Sequence, residues 1–423
     1  MIERIIRWST HNRFFVWVVI ILLFAAGIWS VYNTSVDAIP DLSENQVIVY
    51  TEWMGRNPKI IEDQITYPLV SNLQGIPKVK AIRASSMFGM SFVFVIFDED
   101  AEIYWARTRV LERLNFANKN LPEGVVPSLG PDGTGVGHVF WYTLHGKGYD
   151  LGELRAIQDW YLKFSLQNIE GVSEVASFGG FQKNYTISIN PQKLIYYNLS
   201  VMQIADALKN NNRDVGGSVS DINGTGFMIK GKGYLKGIED IEEIAINSEN
   251  TIPIKIKDVA DVQITGNQRL GIVEENGMGE VAGGVIVARY GVNPKEIISR
   301  IKSKLKDIES GLPPGVKIKT VYDRSDLIQA SINTLKEALW EEILVVSIVV
   351  LIFIFHIRSA IVAILTIPLS VMIGFIFIKI FGISLNIMTL GGIALAIGDL
   401  VDAGIVMTEN AYKNLVREVL NED

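Results

Sequence analysis

The stretch that most constrains this chain is residues 390–410, which read LGGIALAIGDLVDAGIVMTEN. A bilayer's hydrocarbon core takes about 20 apolar residues of helix, and this run is long enough to cross it. Yet it carries Asp399 and Asp402 near its middle and Glu409 near one end. A carboxylate at a helix centre costs roughly 2.5–3.5 kcal/mol on insertion scales, so such residues mark ion or proton pathways. At about 100° per residue, Asp402 and Glu409 stand about 20° apart around the helix, with Asp399 about 60° to the other side of Asp402, so all three face one way. A rise of about 1.5 Å per residue sets Glu409 roughly 10 Å along the axis from Asp402, one step nearer the membrane surface. Gly391, Gly392, Ala394, Ala396, Gly398, Ala403 and Gly404 let a neighbouring helix approach closely. The expectation is a packed, protonatable helix in a bundle; the alternative is a helix whose carboxylates are structural, held by hydrogen bonds to a neighbour.

The rest of the chain fits a protein that lies partly in a membrane. Mean hydropathy is +0.26, with 48% hydrophobic residues in a chain of 423, high for a soluble protein. Residues 14–32 carry no charge and follow Arg4, Arg7 and Arg13. They read as a first span, with residues 1–13 in the cytoplasm by the positive-inside bias. A signal peptide is the alternative, but the apolar run is too long and no small-x-small pattern closes it. Residues 326–357 start as an amphipathic helix outside the membrane and continue as a second span. Residues 360–378 make a third, with Pro368 inside it, and residues 387–410 a fourth. Residues 411–423, with Lys413 and Arg417, return to the cytoplasm. There is no cysteine, hence no disulfide, thiolate metal site or catalytic thiol. The four histidines form no HExxH-type ligand pair. A net charge of −7 gives no reason to expect nucleic acid, and no cofactor is expected.

Between the first two spans, strand and helix patterns alternate. Residues 46–51 alternate as a strand, a helix opens at Pro58 and runs to about Leu73, and a strand pair follows from Val79 to Phe97. The grammar then repeats: a strand at 139–144, a helix at 151–168 and a strand pair at 172–189. Gly75 and Gly171 end the two helices at equivalent points, 96 residues apart. This predicts tandem α+β units of the split βαβ kind over 33–136 and 137–212. Residues 213–270 are glycine-dense and β-like, a protruding hairpin or small β subdomain. Residues 271–325 add one more β-α-β piece, a return to these units or half of a third. Met87 and Met90 beside Phe88, and the aromatic residues of 140–142 and 159–161, are expected to fill β-α cores.

The order of one span, a large α+β insert and a carboxylate-bearing fourth span resembles the resistance-nodulation-division (RND) exporters. Particular motifs are similar to their heavy-metal efflux branch, of the copper/silver (Cus) type. They are VDAIPDLS at 36–43, LGPDGTGVG at 129–137, QDW at 158–160, EVAGG at 280–284, YDRS at 322–325 and LGGIA at 390–394. The resemblance covers essentially the whole chain, yet such exporters have twelve spans and two large periplasmic loops, so it implies the N-terminal portion of one, truncated after the fourth span. It implies an inner-membrane, multi-pass, homotrimeric cation/proton antiporter rather than an enzyme. The periplasmic part would hold porter subdomains (33–136, 137–212, 271–325) and a β-rich docking subdomain (213–270). A periplasmic adaptor, an outer-membrane channel, the lipid bilayer and a missing C-terminal half are its implied partners. The resemblance puts proton coupling on Asp402 and the relay on Glu409. Asp399 departs from the copper/silver pattern and is similar to a second aspartate in the cobalt/zinc/cadmium (Czc) branch. Met388 and Met407 match membrane methionines of the copper/silver branch. Thioethers suit Cu(I) and Ag(I), which would be cargo and not cofactor. Zn, Co or Cd export, or a non-transporting membrane-anchored assembly module, are the competing readings.

Overall fold

The computed structural model describes residues 8–9, 11–247, 253–267, 269, 271–354 and 357–421. Helix α1 (Arg13–Asn33) carries no charge after Arg13, and Gly27 and Ser30 are its buried residues. An extended segment leads from it to β1 (Gln46–Glu52). Helix α2 follows in three parts, Pro58–Ile61, a π turn Glu62–Thr66 and Tyr67–Leu73. Proline at the first turn loses no hydrogen bond there, and the Asn57 side chain caps the helix by accepting from the Ile60 N–H. Then come β2 (Val79–Met87), β3 (Met90–Phe97), α3 (Ile103–Ala117) and β4 (Ser128–Leu129).

The same sequence of elements begins again with β5 (His138–Gly146). Helix α4 is Leu151–Ile157, a π turn Gln158–Leu162 and Lys163–Gln167, opened by a capping box between Asp150 and Glu153. Strand β6 (Val172–Gly179) follows. An insertion then intervenes: β7 (Lys183–Ile189), α5 (Pro191–Tyr196), α6 (Val201–Asn211), β8 (Val215–Ile222), β9 (Thr225–Gly231), α7 (Ile238–Glu242), β10 (Ala245–Asn247), β11 (Ile254–Lys255), α8 (Ile256–Val259) and β12 (Ala260–Gly266). The unit resumes with β13 (Ala282–Ala288), α9 (Pro294–Glu309) and β14 (Val316–Asp323). Three long helices end the chain: α10 (Arg324–Ile354), α11 (Ile357–Ile380) and α12 (Ile387–Asn421).

The first sheet has the order β2-β3-β1-β4 and the second β6-β13-β5-β14, every pairing antiparallel. Strand for strand the two orders are the same, the split βαβ arrangement. Each sheet buries one face under its helices, with Val47, Val49, Leu69 and Val110 in the first core and Tyr142, Leu162, Ile286 and Ile301 in the second. β13 and β14 both pair with β5. The 271–325 piece therefore completes the second unit and starts no third one. The insertion, which has its own core around Ile204 and Ile256, separates β6 from β13 in the sequence and left both a return and a third unit open. Its β8–β9 hairpin is exposed along nearly its whole length.

The two π turns are also 96 residues apart, at Glu62 and Gln158. Each presses a polar group onto its sheet. Thr66 Oγ1 lies 2.8 Å from both Ser86 Oγ and Ser91 Oγ. The Tyr142 hydroxyl donates to Gln158 Oε1 at 2.8 Å, and Gln158 Nε2 donates to Ser177 Oγ at 3.3 Å. Burial pushes the Tyr142 hydroxyl up, which keeps it a donor. Two core expectations fail at the surface. Met87 and Phe88 sit at the exposed β2–β3 turn, and Trp160, 73% exposed, faces away from the sheet that Gln158 and Leu162 meet. Helical phase decides this, since residues two apart in a helix cannot share a face. Phe140 and Tyr142 are buried as expected, while Trp141, on the opposite face of β5, is partly exposed.

At the base of the molecule α1 packs tightly on α11: a Cβ added to Gly27 would lie 2.5 Å from that of Met372. Ile367, Val371 and Phe375 of α11 bury Leu390 and Ile397 of α12. Among the described residues one helix, α1, is long and apolar enough to cross a membrane; shorter apolar stretches run Leu365–Ile380 and Ile387–Leu400.

Gly284 on β13 has no room for a side chain, because an added Cβ would fall 2.5 Å from the Tyr142 hydroxyl and 2.7 Å from Gln158 Nε2. Gly284→Ala is expected to destabilise the second unit by about 1–3 kcal/mol, the usual cost of overpacking. Gly237→Ala, which meets nothing within 4 Å, should stay within about 0.5 kcal/mol. Thermal unfolding of the detergent-solubilised protein checks the difference.

Candidate functional site

Helix α12 carries the predicted membrane carboxylates, and its start is firmly built. Buried Asn386 accepts from the N–H groups of Met388 and Thr389 at 3.0 and 3.1 Å, and its own N–H donates to Thr389 Oγ1 at 2.7 Å. These bonds satisfy the free donors of the first turn. From there Leu390 and Ile397 face α11, and Asp399 stands on the exposed side of the helix. Asp402 and Glu409 lie farther along α12, and their side chains lie outside the described residues. Among the described residues an added Cβ at Gly391, Gly392, Gly398 or Gly404 meets nothing within 4 Å, so the small-residue face expected to take a neighbour is uncovered by them. Met388 and Met407 are both largely exposed. Nineteen positions separate them, roughly 28 Å along the axis, so the helix does not bring them into one site. Among the described residues no group of three or more His, Cys, Asp or Glu side chains could hold a metal ion.

Above α12 three remote parts of the chain meet. The Asp37 N–H donates to the Leu385 carbonyl at 2.8 Å, the Leu385 N–H to Ser35 at 2.9 Å, and the Ile387 N–H to Ala38 at 3.3 Å. The segment leaving α1 is thus laid alongside the α11–α12 loop like a short strand. Lys379 at the end of α11 donates to the Asn33 carbonyl. On this platform Asp37 Oδ1 lies 2.8 Å from Nε of Arg324, the first residue of α10. Both side chains are largely buried, at 3% exposure for Arg324 and 15% for Asp37. The N–H does not point along the contact, so the two are ion-paired without a linear hydrogen bond. Arg324 Nη1 donates to the Val136 carbonyl, in the crossover between the two units. Nη2 is buried and finds no hydrogen-bond partner among the described residues. A cavity of about 500 Å³ opens beside the pair, with Asp41, Arg289, Lys379 and Ser384 in its wall. Burial pushes the Asp37 carboxyl up from its ordinary value, while Arg324 and the N–H groups of Ala38 and Ile39 pull it back.

The AcrB/AcrD/AcrF family model matches residues 5–422. The chain belongs to that family. It is 47% identical to a putative cation efflux system protein, SilA, of Salmonella typhimurium, over 98% of this chain and 40% of that protein. It is also 47% identical to the cation efflux system protein CusA of Escherichia coli K12, with the same coverage. Identity to the cobalt-zinc-cadmium resistance protein CzcA of Cupriavidus metallidurans is 34%, over 98% of this chain and 40% of that one. An X-ray crystal structure of a heavy metal efflux pump superposes with a TM-score of 0.88 at 31% identity, covering 98% of this chain and 42% of that one. The chain spans about 40% of the length of the curated relatives it matches.

With the RND fold in place, the quoted motifs fall into two groups. QDW and EVAGG meet in the second core, where Gly284 leaves room for Gln158 and Tyr142. VDAIPDLS, LGPDGTGVG and YDRS meet at the junction through Asp37, Val136 and Arg324. Asp132 of the second motif accepts from Ser173 and Tyr104 and faces Arg289 at 3.6 Å. Sequence reasoning quoted these residues as signatures and missed the pair they form. No local signal named the pair: Asp37 shares its motif with Asp41, and Arg324 stands between Asp323 and Asp326.

Removing one partner of a buried pair strands the other charge, at a cost of about 3 kcal/mol or more. Arg324→Gln also removes the influence that lowers the Asp37 carboxyl, leaving burial to raise it further. A raised carboxylate binds its proton more tightly when folded, so its contribution is full at acid pH and is lost as pH rises through the folded value. The Arg324→Gln defect in thermal stability should therefore be larger at pH 8 than at pH 4. A defect independent of pH would contradict this reading of the pair.

Proposed function

We propose that the chain is the N-terminal part of a proton-driven exporter of Cu(I) or Ag(I), the inner-membrane component of a tripartite efflux system. The observation that carries this reading is the higher identity to CusA than to CzcA over the same span. The match of Met388 and Met407 to the copper/silver pattern supports it, because soft thioethers suit soft monovalent cations. In this reading α1, α10, α11 and α12 cross the membrane, and the two β-α units stand in the periplasm as porter subdomains. The insertion is a docking subdomain, and its bare β8–β9 hairpin reaches a neighbouring protomer of a homotrimer. A periplasmic adaptor and an outer-membrane channel complete the path. A second half of like build supplies the helices that close the open glycine face of α12.

Asp402 takes up and releases the coupling proton together with Asp399, and Glu409 relays it. Protonation changes the charge of a packed helix and rocks the porter units through alternating access. Asp399 favours one competing cargo, a divalent cation of the cobalt/zinc/cadmium kind. The test is a resistance assay in metal-sensitive cells, with the chain completed by a relative's C-terminal half. Protection from silver and copper is expected, and Asp402→Asn should return cells to the sensitivity of pump-free controls. Vesicles holding residues 1–423 alone should show no export. Protection from zinc or cobalt only would move the assignment to the divalent branch and make Asp399 central.

A further inference from the structure

We propose that the Asp37–Arg324 pair is the joint that passes movement of the membrane helices to the second β-α unit. This rests on the proton-driven reading of α12 and assigns a route for its effect. On the membrane side, Asp37 cannot move independently of α12. Its backbone bonds to Leu385, and the next residue, Asn386, caps α12. Any tilt or shift of α12 is therefore felt at Asp37 before it reaches any side chain farther from the membrane.

On the other side, Arg324 directly follows Asp323, the last residue of β14, so strand and helix are continuous there. β14 pairs with β5, an inner strand of the second sheet, from Val316 to Asp323. Asp323 is itself tied down, paired with Lys302 of α9 and accepting from the Ser325 N–H at 2.9 Å. A pull on Arg324 is a pull on the sheet and on α9. The bond from Arg324 to Val136 extends the same pull to the crossover from the first unit.

The pair itself suits transmission. Two buried opposite charges are costly to separate, so the contact resists opening and its two sides move together. The cavity beside it gives the guanidinium space to swing, and the unbonded Nη2 is a donor free to take a new acceptor in a second position. Asp41, Lys379 and Arg289 are the other charged groups facing that space. Asp37 and Arg324 are positioning residues in this scheme and touch neither cargo nor coupling proton.

The test uses the full-length pump containing this chain, reconstituted in vesicles, with silver uptake and proton counterflow followed together. Asp37→Asn keeps size and removes the charge. It should lower the maximal silver rate about tenfold, the loss that about 1.4 kcal/mol on the barrier of the moving step produces. KM should stay within about twofold, because no cargo contact is lost. Asp206→Asn, an exposed carboxylate on α6 away from the cavity, should export normally. Asp37→Arg combined with Arg324→Asp should recover most of the rate lost in either single variant. If Asp37→Asn does not yield folded protein, Asp37→Glu, which keeps the charge, should still export. Three results overturn the joint: a wild-type rate in Asp37→Asn, a loss matched by an equal loss of silver affinity, or a well-folded double swap no better than the single variants. Asp402→Asn in parallel separates the two claims. A normal rate there sinks the proton-driven reading and the joint with it, whereas an inactive Asp402→Asn beside a fully active Asp37→Asn sinks the joint alone.

Discussion

The structure hangs on an ion pair between residues that the chain sets 287 positions apart, Asp37 and Arg324. The exit of α1, the α11–α12 loop, the foot of the second sheet and the crossover between sheets all converge on it. Each of those segments leaves a regular element, and each brings backbone groups that need partners. The strand-like bonds between 35–38 and 385–387 meet that need, and the pair then neutralises the one guanidinium buried among them. Without it, four segments would meet around an uncompensated charge.

Above the junction the architecture is a duplication with one interruption. Both units have the same strand order, and both bend their first helix with a π turn at the same place. Such turns insert one extra residue and are common at functional positions. Here they bring Thr66 and Gln158 down onto hydroxyl groups of the sheet. A buried polar contact fixes how the helix sits, since sliding would leave each group unpaired. The first helix of each unit is thereby locked to its sheet, and the units are suited to move as rigid bodies.

Much of this was legible in the sequence. The 96-residue spacing of Gly75 and Gly171 announced the repeat, and the apolar runs placed the helices α1, α10, α11 and α12. Asp399 was read as lying on the last long helix, and it lies on α12. What escaped was information that only tertiary structure carries. A π turn has no periodicity of its own, so 62–66 and 158–162 read as plain helix. β13 and β14 read as either a return to these units or half of a third, because an inserted domain stood between them and their sheet. Trp160 was expected in a core because it is aromatic, but its phase on the helix turns it outward. The Asp37–Arg324 pair was hidden by sequence distance, since neither residue has a local pattern that names its partner.

The two proposals combine in one account, in which a carboxylate helix would change charge, the junction would carry the resulting shift, and locked β-α units would respond. The most direct measurement is a distance between α12 and the second unit as pH changes. These 423 residues contain no cysteine, so spin labels placed at Leu395 and Lys304 would be the only ones on them, with any cysteine in the rest of the full-length protein replaced beforehand. The account predicts that their separation shifts between pH 5 and pH 8, and that Asp402→Asn abolishes the shift. A separation that does not respond to pH, or that responds equally in Asp402→Asn, would contradict it.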